Sequence, residues 1–178
     1  MNRAFSTLYR LSDRVNACAR VIAGMCFFAM FLVVMLQVVA RYIFDSPPFW
    51  TEELARWLMI WGGLLGASVG FRTRADPALI HPPHDDLRRQ RIQVLSRFVA
   101  AWVFFLPVIY FSWPFLLRQI GRPSEGLEIS TAWMASALPV TALIICLHAL
   151  SGLGALISPD VLDKEVGVAR AASDAHKE

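Results

Sequence analysis

The sequence has little charge, and several long stretches of it have none. Charged residues make up 17% of the 178 residues, whereas hydrophobic residues make up 56%. An average soluble domain carries more charge and fewer apolar residues than this chain does. The composition therefore excludes an ordinary soluble domain, and the length predicts a single compact membrane domain.

Motifs of catalysis and of cofactor binding are also missing. No P-loop, nucleophile elbow or H-E-x-x-H motif occurs. The cysteines, Cys18, Cys26 and Cys146, form no C-x-x-C pair, so we interpret them as small buried hydrophobes. His148 is the only histidine inside an apolar run. A single histidine cannot supply two axial haem ligands, so we interpret it as a hydrogen-bonded packing residue. We expect no enzymatic activity, no cofactor and no metal.

Four apolar runs are long enough to cross the ~30 Å hydrocarbon core of a bilayer as helices. They cover residues 21–40, about 57–71, 98–117 and about 131–157, and residues 51–56 extend the second helix at its start. Each run is continuous rather than alternating, which favours helices over the strands of a membrane barrel. The sequence therefore predicts an all-α membrane protein with four transmembrane helices and short interfacial helices, and with no buried charge away from the first connection.

The basic residues predict the orientation in the bilayer. Of 17 lysines and arginines, 13 lie before the first run, between the second and third, or after the fourth. The positive-inside rule then places both termini in the cytoplasm. These residues flank apolar runs instead of forming a stripe, which argues for a lipid bilayer and against nucleic acid as the partner.

This orientation divides the chain into three parts. Residues 21–157 form the four-helix membrane domain. Residues 1–20 are basic and amphipathic, which fits a helix lying on the inner leaflet or a positive flank that fixes topology. Residues 158–178 form a polar cytoplasmic tail that we expect to be disordered.

The connection between the first two runs combines charged and aromatic residues at the outer membrane surface. We call residues 41–61 the collar. Pro47 and Pro48 prevent the first helix from continuing. Thr51 is the predicted N-cap of the second helix, followed by two acids, Glu52 and Glu53, which are favourable near a helix N-terminus.

Two interpretations of the collar remain open. Arg56 follows Glu52 by four residues, the spacing of a helical ion pair. Trp50, Trp57 and Trp61 share one helical face. The collar is either a docking surface for a partner or an ordinary aromatic belt at the membrane interface.

The second run also carries a strip of small residues. Gly62, Gly66 and Gly70 recur at steps of four residues. Such a strip lets another helix approach closely, either within the protein or in a partner.

The collar resembles a known signature. The residues R-Y-I-F at 41–44, Pro47, W-T-E-E-L-A-R at 50–56 and Trp61 resemble the motif of the small membrane subunit of tripartite ATP-independent periplasmic (TRAP) transporters, the DctQ-like family. The resemblance covers about residues 15–157 and agrees with four spans and cytoplasmic termini.

The resemblance implies a heteromeric complex in the bacterial inner membrane. A large multi-span subunit would carry out sodium-driven symport, and a periplasmic binding protein would deliver an organic acid, commonly a carboxylate. The small subunit would anchor and stabilise the large one. The predicted interface with the large subunit comprises Arg41, Trp50, Glu52, Glu53, Arg56, Trp57 and Trp61, and the predicted helix-packing residues are Gly62, Gly66 and Gly70.

The alternative function is a self-contained four-helix exporter or channel. A coupled exporter needs an ionisable residue within the membrane. None of the four runs contains Asp, Glu, Lys or Arg, so the sequence favours the accessory subunit.

Overall fold

A computed structural model of the chain describes residues 2–74, 87–153 and 167. The helices are α1 (Asn2–Ile43), α2 (Phe49–Thr73), α3 (Leu87–Gln119), α4 (Ala132–Ala135) and α5 (Ala137–Leu153). Four helical stretches, with α4 and α5 together forming the last, are long and apolar enough to cross a membrane. The predicted all-α fold with four transmembrane helices is confirmed. Apart from residue 167, the predicted tail lies outside the described residues, and so does the end of the fourth run.

The helix α1 is continuous from Asn2 through Ile43 and so begins well before the first apolar run. Residues 2–20 extend that helix, and Tyr9, Ser12 and Ala19 on one of its faces are buried. Buried positions at helical spacing indicate that this part of α1 packs on the other helices.

The turn into α2 differs from the sequence prediction at Thr51. The helix begins at Phe49 with Pro48 as its N-cap, and no side chain caps it. The predicted N-cap role of Thr51 is therefore wrong. The Thr51 hydroxyl donates a hydrogen bond to the Pro48 carbonyl at 2.6 Å and accepts one from Gln37 Nε2 of α1 at 3.1 Å. Thr51 thus joins the two helices instead of starting one.

Proline interrupts the fourth span. The short helix α4 ends at Ala135, and α5 begins at Ala137. Pro139 has no amide hydrogen, and its ring conflicts with the carbonyl four residues earlier, that of Ala135. By contrast, α3 runs through Pro107 and Pro114 without a break.

The helices pack as α1 on α2 and α3 on α5, and α2 and α5 join the two pairs. One buried cluster contains Tyr9, Val94, Phe98, Ala101 and Ala149, and a second contains Ala19, Ala23 and Leu65. Gly152 lies between α3 and α5, where an added Cβ would overlap the Phe98 ring.

Candidate functional site

The collar presents one exposed ion pair. Arg56 Nη2 lies 3.0 Å from Glu52 Oε1, at the helical spacing predicted from the sequence. The side chains are 59% and 80% exposed, respectively. An exposed pair of this kind contributes only ~0.3–0.5 kcal/mol to stability. Both side chains therefore remain available for contacts outside the chain.

Glu53 has a different environment, although it is the neighbour of Glu52. Its Oε2 accepts hydrogen bonds from the backbone amides of Gly126, at 2.7 Å, and Leu127, at 3.2 Å. A carboxylate that accepts from amides makes stronger hydrogen bonds than a neutral oxygen does. Sequence reasoning missed this contact because the partners lie 73 and 74 residues away.

The residues that Glu53 holds belong to a folded connection between α3 and α4. We call residues 120–131 the outer loop, after the side of the membrane on which the sequence predicts it. The amide of Ser124 donates to the carbonyl of Ile129 at 2.8 Å, and that of Thr131 donates to the carbonyl of Arg122 at 3.0 Å. These hydrogen bonds give the loop a hairpin-like shape with a defined tip.

The tryptophan side chains of α2 lie partly inside the helical bundle. Trp57 is 7% exposed, and Trp61 Nε1 donates to the carbonyl of Trp133 in α4 at 3.2 Å. Trp50 is 40% exposed, and Arg41 is exposed at the end of α1. Four of the predicted interface residues are therefore accessible: Arg41, Trp50, Glu52 and Arg56. The other three are engaged within the chain, since Trp57 is buried and both Glu53 and Trp61 have hydrogen-bond partners.

A groove of about 540 Å³ lies between the collar and the outer loop. Acidic, basic and neutral residues line it: Phe49, Glu52, Glu53, Arg56, Gln119, Arg122, Pro123, Ser124, Glu125 and Thr131. Within the described ranges, no three His, Cys, Asp or Glu side chains come together as a metal site would require. The groove is lined mainly by polar and charged side chains.

The three glycines of the small-residue strip have different surroundings. A Cβ added to Gly62 would lie 3.2 Å from Cys26 Cβ and 3.3 Å from Phe27 Cε2 of α1. An added Cβ at Gly66 or Gly70 would have no described atom within 4 Å. Gly62 therefore packs closely against α1, whereas Gly66 and Gly70 make no such contact with the described residues.

At the opposite end of α2 lies an ion pair between a buried arginine and a half-exposed aspartate, which the sequence did not reveal. Arg72 Nη2 lies 2.8 Å from Asp13 Oδ1, with side chains 5% and 54% exposed, respectively. The Arg72 guanidinium also lies 4.2 Å from the centre of the Tyr9 ring, within the range of a cation–π contact. The expectation of no buried charge outside the collar is wrong for Arg72, because α2 continues past the apolar run and carries this residue into the bundle.

His148 lies buried in α5 in contact with α1. It is 1% exposed, and its Nδ1 lies 2.7 Å from Ser12 Oγ. The prediction of a hydrogen-bonded packing histidine is confirmed.

Comparison with known proteins gives a consistent result. The family model described as "Tripartite ATP-independent periplasmic transporters, DctQ component" matches residues 30–157. The chain is 29% identical over 137 residues to the sialic acid TRAP transporter permease protein SiaT of Haemophilus influenzae (strain 86-028NP), covering 74% of this chain and 21% of that protein. It is 24% identical over 168 residues to the sialic acid TRAP transporter small permease protein SiaQ of Vibrio cholerae serotype O1 (strain ATCC 39315 / El Tor Inaba N16961), covering 89% of this chain and 97% of that protein. The chain thus spans about a fifth of SiaT and nearly all of SiaQ.

Proposed function

Since this chain belongs to the DctQ component family of TRAP transporters, we propose that it anchors and stabilises the large membrane subunit of such a transporter. The chain is a small permease subunit of the inner membrane that crosses the bilayer several times, and it is not an enzyme. The large subunit is sodium-coupled and imports an organic acid that a periplasmic binding protein delivers. A sialic acid is the first substrate to test, because both relatives are named as sialic acid transporters.

The observation that carries this proposal is the match to a small permease over 97% of its length. The distribution of charge supports it. No acidic or basic residue lies in the four apolar runs, and the buried Arg72 is paired with Asp13 near the C-terminal end of α2. An accessory subunit needs no ionisable group at the membrane midplane, whereas a coupled exporter does.

The proposed contact with the large subunit is the accessible part of the collar. Arg41, Trp50, Glu52 and Arg56 have exposed side chains, and the proposed orientation puts them on the outer surface. When a charge pair becomes desolvated in a complex, removing one member costs ~2–5 kcal/mol, because the other charge is left buried. Trp57 and Trp61 act on this contact indirectly, by fixing α2.

Co-purification with the large subunit tests the proposal. The chain carries an affinity tag and is co-expressed with the large TRAP subunit of the same organism. We expect Glu52→Ala and Arg56→Ala to lower the yield of the large subunit at least tenfold, while the tagged chain still reaches the membrane at its usual level.

A charge swap serves as the matched control. Glu52→Arg combined with Arg56→Glu keeps an ion pair within the chain, but it presents reversed charges to a partner. The swap should lose the large subunit as the single variants do. If the swap and both single variants retain full yield, the collar is an interfacial belt and not the contact with the large subunit.

A further inference from the structure

We infer that Glu53 is a positioning residue, which latches the outer loop to α2 and thereby sets the outer surface that the large subunit meets. The latch itself follows from the geometry of this chain. Its effect on assembly rests on the proposed function.

The two hydrogen bonds to Glu53 are what fasten the loop tip. Among the hydrogen bonds of the described residues, those from Gly126 and Leu127 to Glu53 are the ones that join the tip to α2. The side chains of Ser130 and Thr131 instead tie the end of the loop to Gln119 of α3. Without the Glu53 carboxylate, the loop would keep its ends and its hairpin shape but lose its attachment to the collar.

The close approach at Gly126 fits the same function. A Cβ at this position would lie 2.9 Å from Glu53 Oε2 and 3.1 Å from the Trp50 Cα. The 2.9 Å contact would force the Glu53 carboxylate or the loop to shift, and the 3.1 Å contact with backbone is tighter than most Cβ contacts. Any larger residue at position 126 would therefore push the tip away from α2. Glu53 and Gly126 form one latch, since loss of either separates the tip of the outer loop from α2.

The latch also sets the width of the groove between α2 and the outer loop. Glu52 and Arg56 line it from α2, and Arg122 and Glu125 line it from the outer loop. The distance between these two walls depends on how the tip is held. Glu53 therefore affects partner recognition without touching the partner, because it places the charged residues on the opposite wall.

Labelling of the loop tip tests the latch on the chain alone. Leu127, which is partly buried, is replaced by cysteine, and the rate of reaction with a membrane-impermeant maleimide is measured on the purified full chain. The same chain without that substitution gives the background from the native cysteines. We expect Glu53→Ala and Gly126→Ala each to raise the rate at least threefold.

Two further variants separate the latch from general misfolding. Glu53→Gln keeps an acceptor oxygen of the same shape, so its rate should lie between those of the unaltered chain and Glu53→Ala. Glu52→Ala removes the neighbouring carboxylate, which binds Arg56, and should leave the rate unchanged. If both Glu53→Ala and Gly126→Ala label at the unaltered rate, or if Glu52→Ala raises the rate equally, the latch is refuted.

Co-purification then tests the effect on assembly. Glu53→Ala and Gly126→Ala should lower the yield of the large subunit, and the double variant should be no worse than either single one, because both disrupt the same contact. Raised labelling with an unchanged yield would refute the effect on assembly. If the unaltered chain itself does not retain the large subunit, the proposed function fails, whereas the labelling rates still decide the latch.

Discussion

Replacing Gly62 with leucine should disrupt the packing of α1 on α2, whereas the same replacement at Gly63 should not. An added Cβ at Gly62 would lie 3.2 Å from Cys26 Cβ and 3.3 Å from a ring carbon of Phe27. Gly63, the next residue of the same helix, is exposed, and no described atom lies within 4 Å of its added Cβ. The two positions differ in their contacts and share the same helical backbone.

The expected magnitude follows from two opposing effects. Leucine is a better helix former than glycine by about 0.7 kcal/mol, and this gain applies at both positions. Extra atoms in a packed interface cost ~1–3 kcal/mol, and this cost applies only at Gly62. The helix-propensity gain cancels in the comparison, so Gly62→Leu should be less stable than Gly63→Leu by ~1–3 kcal/mol. For a chain of this size, each 1 kcal/mol corresponds to ~2–4 °C in Tm.

Thermal unfolding of the purified subunit in lipid nanodiscs, followed by tryptophan fluorescence, measures this difference. The Tm of Gly63→Leu should equal or exceed that of the unaltered chain. The Tm of Gly62→Leu should fall below that of the unaltered chain. A Tm for Gly62→Leu at or above that of Gly63→Leu would show that α1 and α2 do not approach closely at this point.

Three other predictions concern the strip, the inner ion pair and the topology. Gly66→Leu should leave the Tm of the isolated subunit unchanged and lower co-purification of the large subunit; if both stay unchanged, the strip faces lipid. Asp13→Ala should lower the free energy of unfolding by ~1–2 kcal/mol, because it removes the carboxylate that faces the buried Arg72 charge. The partial exposure of Asp13 keeps the effect small. An unchanged Tm would contradict this prediction. A cytoplasmic reporter fused after Glu178 should be active, whereas activity of a periplasmic reporter there would overturn the proposed orientation.

Local patterns in the sequence predicted the features that depend on neighbouring residues. The four spans follow from uninterrupted apolar runs, and the Glu52–Arg56 pair follows from a spacing of one helical turn. Thr51 is the exception among local features. The rule for N-caps pointed to its hydroxyl, but in the fold that hydroxyl binds Gln37 of another helix and the Pro48 carbonyl.

The contacts that sequence reasoning missed join residues far apart in the chain. Gly126 follows Glu53 by 73 residues, and Arg72 follows Asp13 by 59. Which residues meet at such separations depends on how the helices pack, and no local spacing encodes that. This is why the two adjacent acids of the collar received the same predicted role, although one is exposed and the other is bound to the outer loop.

Solute uptake by reconstituted subunits tests the central claim most directly. Proteoliposomes would contain this chain alone, the large subunit alone, or both, with the periplasmic binding protein outside and a sodium gradient imposed. The probe is the organic acid that the binding protein binds by calorimetry, with sialic acid tested first. We predict uptake at the empty-liposome level for this chain alone and full uptake only with both subunits. Uptake by this chain alone, or full uptake by the large subunit without it, would contradict the account.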